Sequence, residues 1–226
     1  MAHETIAPWA EKVPGAGPMT AGELLRMPDD AKWTYELVDG VLVRMPAPGF
    51  EHGWIIGDLL TELGYFVKSR HLGIALGAET GFLLSQPGQP DTVLAPDLAF
   101  IRAERVPSRH SPSIKKYQRL APDLAVEVVS PDQYKPEMVA KAKIYLNAGV
   151  RLLWIVWPGN RTVDAWRPSS DQPITSLTIS DALDGLDVVP GFTYPLGRPV
   201  RLTHPPGHSC PIPVRRPFTA AIPARR

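Results

Sequence analysis

The chain of 226 residues carries a formal net charge of +1 at pH 7 and contains one cysteine. The near-neutral charge argues against a strong general attraction to nucleic acid or to a membrane surface, and a single cysteine excludes an internal disulfide. No apolar run has the length of a signal-peptide core or of a membrane span, so we expect a cytoplasmic protein with no membrane association. The length favours one core domain with loose ends.

Both ends of the chain lack the hydrophobic pattern of a folded domain. Residues 1–18 contain three prolines and two glycines without sustained periodicity, which predicts a flexible lead. Residues 198–226 are rich in proline and arginine and contain no acid, which predicts an unfolded basic tail. The domain itself is therefore expected to span residues 19–197.

The N-terminal half of this domain alternates helix and strand signals. Thr20 and Glu23 have the spacing of a capping box and predict the start of a short helix. Residues 33–45 have the pattern of a β-hairpin with its turn at Asp39-Gly40, and apolar residues at helical spacing predict a helix over residues 50–67. Three strands are expected next, at 73–76, at 80–84 and, in two parts around Pro96, at 92–101.

The C-terminal half contains the longest apolar runs. Residues 102–122 are polar and basic, which favours an exposed loop, with a phosphate-facing rim as the alternative. An apolar strand over residues 124–129 precedes a helix that has Pro136 in its first turn and Gly149 at its C-terminal end. Further strands are expected at 151–157, 162–166 and 174–179, with an irregular segment at 181–197. This element order predicts an α/β (α+β) domain around one mixed sheet.

Two acids occur where apolar residues are expected. Glu127 shares one face of its strand with Ala125 and Val129, and neither face is otherwise polar. Asp97 stands at the start of another apolar strand, just after Pro96. A carboxylate among apolar neighbours must be paired, coordinated or neutralised, because burying a bare charge costs several kcal/mol. Both acids are therefore candidate functional residues.

One lysine of the following helix is expected to face these acids. Lys141 falls between Tyr145 and Ala148 on the apolar arc of the helical wheel, whereas Lys143 lies on the polar side. An acid–acid–lysine set of this kind suits metal-dependent hydrolysis of phosphodiesters. The alternative is a structural salt bridge between Lys141 and one of the acids.

Two further residues leave alternatives open. Glu36 lies in the predicted hairpin and is either a solvated strand acid or a member of the site. His52 falls on the inward face of the predicted long helix, where a satisfied core histidine is more common than a ligand. In the tail, His204, His208 and Cys210 have the chemistry of zinc ligands but lack a partner motif, so zinc is not expected there.

Four motifs together resemble those of the Uma-two family. They are YELVDG at 35–40, PDLAF at 96–100, PDLAVEVVSP at 122–131 and K-x-x-x-Y-x-x-A-G-V at 141–150. The resemblance covers residues 19–197, and the order and spacing of the motifs make it specific. It implies the restriction-endonuclease-like fold of the PD-(D/E)xK nuclease superfamily, with a mixed β-sheet flanked by helices.

The resemblance also implies roles for individual residues. Asp97 and Glu127 match the family's metal-binding acids, Lys141 its catalytic lysine, Glu36 an acid that completes the site, and His52 a histidine of auxiliary role. A Mg²⁺ or Mn²⁺ ion takes oxygen ligands, and the Val128 carbonyl is a further candidate. The superfamily's lysine two residues after the acid is absent, since Val129 stands there, so its role falls to Lys141.

The expected function is a metal-dependent endonuclease that hydrolyses phosphodiester bonds, with DNA as the expected substrate. Two alternatives stay open: a nuclease-fold protein that binds nucleic acid or regulates without catalysis, and a buried ion network with the true activity elsewhere. A homodimer is expected only by analogy, since two cuts in a duplex favour two active sites.

Overall fold

The structure is a computed structural model that describes residues 8–130 and 135–197. The tail with His204, His208 and Cys210 therefore lies outside the described residues. The helices α1, α2 and α3 span Ala21–Leu24, Phe50–Ser69 and Lys135–Asn147. The strands β1 to β13 span Glu11–Lys12, Trp33–Val38, Val41–Pro46, Gly73–Gly77, Phe82–Leu83, Val93–Leu94, Leu98–Arg102, Leu124–Val128, Leu152–Trp157, Thr162–Trp166, Thr175–Thr178, Ala182–Asp184 and Thr193–Pro195.

Most strands lie in two sheets rather than in the one mixed sheet expected. The six-stranded sheet has the order β11-β10-β9-β8-β7-β4, with β8 and β9 parallel and the other neighbours antiparallel. The five-stranded antiparallel sheet has the order β1-β3-β2-β6-β5. The chain passes between the sheets at Ala95-Pro96-Asp97, where proline cannot donate to a strand ladder.

The core lies on both faces of the six-stranded sheet. Ala125 and Val129 pack with buried residues of α3, including Met138 and Ala142. Leu124, Val126 and Val128 instead pack with α2 and with the β12–β13 hairpin. Because side chains alternate along a strand, β8 supplies both layers, and the predicted assignment of its two faces is confirmed.

Local sequence signals explain where several elements begin and end. Thr20 and Glu23 form both hydrogen bonds of the capping box at the start of α1. Asp39 and Gly40 both have positive φ, at 50° and 74°, as the two-residue turn between β2 and β3 requires. Gly149 ends α3 with φ of 106°, donating to Leu146 O while Val150 donates to Tyr145 O.

Two expectations about irregular segments were wrong. Within the predicted flexible lead, residues 8–18 pack against the domain: β1 pairs with β3, and Trp9 is 4% exposed. Within residues 181–197, β12 and β13 form a hairpin. Both segments pack through long-range contacts, which local periodicity does not show. Among the described helices, none combines the length and apolarity needed to cross a bilayer.

Candidate active site

Asp97 and Glu127 lie side by side on neighbouring strands. The antiparallel register of β7 and β8 pairs Leu98 with Val126, and extending it by one residue places Asp97 opposite Glu127 on the face covered by α3. Residues directly opposite in such a pair have Cβ atoms about 5 Å apart. The Val128 amide donates to Asp97 Oδ2 at 2.7 Å, which holds the aspartate against β8.

Lys141 of α3 lies over these acids. Its Nζ donates to Glu127 Oε2 at 3.0 Å and lies 3.4 Å from Glu36 Oε1. The lysine is only 4% exposed, because α3 presents this face to the sheet. Tyr145, one turn further along the same face, donates its hydroxyl to Glu127 Oε1 at 2.6 Å. Both oxygens of Glu127 are therefore bound by α3.

Glu36 joins the group from the five-stranded sheet. It is 2% exposed, and its Oε1 accepts a hydrogen bond from the Ala95 amide at 2.9 Å. Its Oε2 accepts from the indole Nε1 of Trp9 at 3.2 Å, and the Trp9 ring lies 5.9 Å from Lys141 Nζ. The interpretation of Glu36 as a solvated strand acid is therefore wrong.

His52 approaches from the first turn of α2. Its Nε2 lies 3.0 Å from Asp97 Oδ2, and its side chain is 13% exposed, against 18% for Asp97. The imidazole also interacts with the Val128 backbone. His52 lines a cleft of about 680 Å³ together with Ser130 and Lys135. The histidine and the aspartate therefore form the more accessible side of the site, and Glu36 and Lys141 the buried side.

The chain was compared with known proteins. A sequence model of the Uma2 family, described as "Putative restriction endonuclease", matches residues 21–200. The chain belongs to the Uma2 family. The resemblance drawn from the four motifs is thereby confirmed.

One solved structure has the same fold as this chain. It is described as that of "a putative nuclease belonging to DUF820 from Anabaena variabilis ATCC 29413", and it superposes with a TM-score of 0.65 at 20% sequence identity. The match covers 80% of this chain and 96% of the other. It shows that this Uma2 chain has the fold of that protein. A search of curated proteins found no match.

The electrostatics of the Uma2 site centre on Glu127. Burial raises the pKa of Glu127 to about 7, the Lys141 ammonium opposes this rise, and the negative charges of Asp97 and Glu36 add to it. The hydrogen bond from Tyr145 favours the ionised form. Like charges on neighbouring strands repel at this separation, so Glu127 is poised to take up either a proton or a cation.

The basic and phenolic groups of the site respond to the same acids. Burial alone would lower the pKa of Lys141, but Glu127, Glu36 and Asp97 raise it overall, so the amine stays protonated. Burial would also lower the pKa of His52, but the hydrogen bond and charge of Asp97 raise it overall. Burial and the charge of Glu127 raise the pKa of Tyr145, which remains a neutral donor.

The site offers some of the oxygen ligands that a hard cation such as Mg²⁺ takes. Among the described residues, no group of three or more His, Cys, Asp or Glu side chains is arranged to hold a metal ion. Mg²⁺, however, is commonly held by one or two carboxylates and keeps several waters. Asp97 Oδ1 accepts no hydrogen bond within the described ranges, since the contacts to Asp97 are made at Oδ2. Asp97 and Glu127 offer the two carboxylates that such an ion can use.

Sequence reasoning missed two residues of the site. Trp9 gave no signal, because a single aromatic in an aperiodic segment does not reveal its partner. Tyr145 stood four residues after Lys141 in the family motif but was taken as core. In the basic stretch 102–122, Arg102 and Arg105 pair with the buried Asp123, so these two arginines anchor the loop. Residues 103–120 are half-buried or exposed, as expected for a loop.

Proposed function

We propose that this Uma2 protein is a Mg²⁺- or Mn²⁺-dependent endonuclease that hydrolyses phosphodiester bonds, with DNA as its substrate. The observation that carries the proposal is the meeting of Asp97, Glu127 and Lys141, which come from separate strands and a helix, within one small volume. The family description and the nuclease with the same fold support the reaction class.

The roles of the residues follow from their contacts. Asp97, Glu127 and the Val128 carbonyl would hold the ion, and a bound ion of this kind acidifies a water and neutralises charge on the phosphate. The Lys141 ammonium keeps Glu127 oriented and has three N–H donors. One donor binds Glu127 and a second points toward Glu36, which leaves a third for a water or a phosphate oxygen. His52 holds Asp97 at the cleft side.

A second candidate is a nuclease-fold protein that binds nucleic acid without cleaving it. The burial of the acid–lysine group favours this candidate, since Glu36, Glu127 and Lys141 are each at most 6% exposed. Such a group also serves as a satisfied ion network that stabilises the fold. The two candidates differ in activity rather than in geometry.

Cleavage of supercoiled plasmid by the purified chain tests the proposal. The wild type is expected to nick DNA with Mg²⁺ or Mn²⁺ and to stop on addition of chelator. Asp97→Asn is expected to lose activity by about two orders of magnitude or more. Lys141→Met should lose activity as well, whereas Lys143→Met, on the same helix with a side chain 55% exposed, should retain it.

One outcome would contradict the endonuclease proposal. If the wild type is inert toward DNA and RNA with every divalent ion tried, yet binds nucleic acid, the second candidate replaces the first. Sedimentation of the free protein and of its complex with duplex DNA would show whether two copies act together, as two cuts in a duplex favour.

A further inference from the structure

Two aromatic side chains stand exposed at the start of α2. Phe50 is 83% exposed and Trp54 47% exposed, and their rings meet edge to face with centroids 5.7 Å apart. Large apolar side chains that are exposed and adjacent are a feature of interaction surfaces. Their helix also carries His52, so whatever binds the two rings lies next to the candidate active site.

The rings border two adjacent clefts. Phe50 and His52 line the cleft of about 680 Å³, and Trp54 lines a neighbouring cleft of about 280 Å³. The two clefts share Glu51, Trp157, Pro158 and Thr162 as lining residues, so they are adjacent. Phe50 and His52 line the same cleft, so a molecule held by the Phe50 ring would lie beside His52.

The two clefts are lined by both cations and acids. Lys135 lines the larger cleft, is 64% exposed at its side chain, and lies 3.9 Å from Asp164. Arg161 lines the smaller cleft and forms no ion pair with any residue in the described ranges. These cations suit backbone phosphates. The lining acids Glu51, Asp58 and Asp164 repel phosphate, but a carboxylate can accept from the amino group of a base.

We propose that Phe50 and Trp54 form a stacking platform for an unpaired base, so that the substrate is single-stranded or locally unpaired nucleic acid. This inference rests on the proposed function and names the substrate class of the same site. A base in a duplex has its faces covered by its neighbours, whereas an unpaired base offers a free face to an exposed ring. The platform would hold the strand while Lys135 and Arg161 contact its phosphates.

Equilibrium binding without divalent ions tests the platform. Fluorescence anisotropy would be measured with a labelled single strand of about 15 nucleotides, long enough for one site, and with the matching duplex. Trp54→Ala and Phe50→Ala are each expected to weaken single-strand binding roughly fivefold or more. Trp54→Phe, which keeps a ring, should retain most of the affinity, and duplex binding should change less than twofold.

Tyr65→Ala is the matched control. Tyr65 is 75% exposed on the same helix but lies roughly 16 Å further along its axis than Trp54. This variant is expected to bind the single strand as the wild type does. Since all of these side chains are exposed, thermal unfolding should show the same folded state for each variant.

Three results would overturn the platform. In the first, the wild type fails to bind single strands. In the second, both alanine variants bind them as tightly as the wild type. In the third, the alanine variants alter the sedimentation coefficient of the free protein, which would make the rings a contact between copies. The binding measurement contains no divalent ion. A failure of the cleavage assay would therefore leave the proposed platform intact, and a failure of the binding assay would leave the proposed metal-dependent cleavage intact.

Discussion

Glu127 is a carboxylate in surroundings that make ionisation costly. It is 6% exposed, faces Asp97 across the strand pair, and shares the Lys141 ammonium with Glu36. Two carboxylates thus contact one buried ammonium, and Asp97 adds its charge nearby. Burial, together with the charges of Asp97 and Glu36, raises the pKa of Glu127 to about 7.

This pKa gives the stability of the metal-free protein a pH dependence. Between pH 4.5 and about 7 the folded state holds a proton on Glu127 that the unfolded state has released. Raising the pH through this window should therefore lower the free energy of unfolding, by up to about 3 kcal/mol from this group. Urea unfolding in chelator at pH 5 and pH 8 measures the loss.

Glu127→Gln isolates this contribution. The amide mimics the protonated acid, so the variant should lose less stability than the wild type over the same pH range. The raised pKa of His52 acts in the same direction and remains in the variant. Glu79→Gln, at an exposed carboxylate, should follow the wild-type profile. An unchanged profile in Glu127→Gln would show that Glu127 is ionised throughout.

The hydrogen bond from the Trp9 indole to Glu36 allows a second test of a single residue. Trp9→Phe removes the donor to Glu36 Oε2 and leaves a charged oxygen without this partner inside the protein. A hydrogen bond to a charged group is worth about 1.5–3 kcal/mol, so we expect a destabilisation of that order. Trp33→Phe, where the ring stacks on Arg44, is the control and should cost less. Denaturant unfolding of both variants compares the losses.

At the scale of elements, the sequence was most informative where a local rule acts. The turn at Asp39-Gly40, the capping box of Thr20 and the two faces of β8 each follow from neighbouring residues. Lys141 was placed on the buried face of α3 by the helical wheel alone. The β12–β13 hairpin was missed, because its three-residue strands are too short for a periodic pattern.

Glycine substitutions at two helices should have opposite effects. Gly149 has φ of 106° at the end of α3, so Gly149→Ala is strained and should destabilise the protein by about 1–2 kcal/mol. Gly64 lies within α2, and a Cβ added there would meet open space. Gly64→Ala should therefore stabilise the protein by about 0.5–1 kcal/mol. Thermal unfolding of both variants measures the two changes in stability. Changes of the same sign would contradict the backbone conformations assigned to Gly149 and Gly64.

At the scale of the whole molecule, a bound cation should stabilise the fold. A ligand at a hundred times its Kd adds about 2.7 kcal/mol, or several degrees of Tm for a chain of this size. Thermal unfolding with and without Mn²⁺ should show this shift in the wild type but not in Asp97→Asn. Asp29→Asn, in an exposed loop, should behave as the wild type. A shift of equal size in Asp97→Asn would place the ion elsewhere.

The meeting of distant residues was only partly predictable. The family motifs brought Glu36, Asp97, Glu127 and Lys141 into one expected set, and the structure places them together. Their functional roles stay predictions. The burial of Glu36 depends on the Ala95 amide, 59 residues away, and no local pattern reveals such a partner. The division into two sheets likewise depends on the path of the chain around Pro96.

The contact of Trp9 with the site has a consequence for biosynthesis. Trp9 leaves the ribosome before Glu36, to which its indole donates, and Lys141 follows more than half a chain later. The contact between the indole ring and the Lys141 ammonium can therefore form only after α3 has been synthesised and has docked on the sheet.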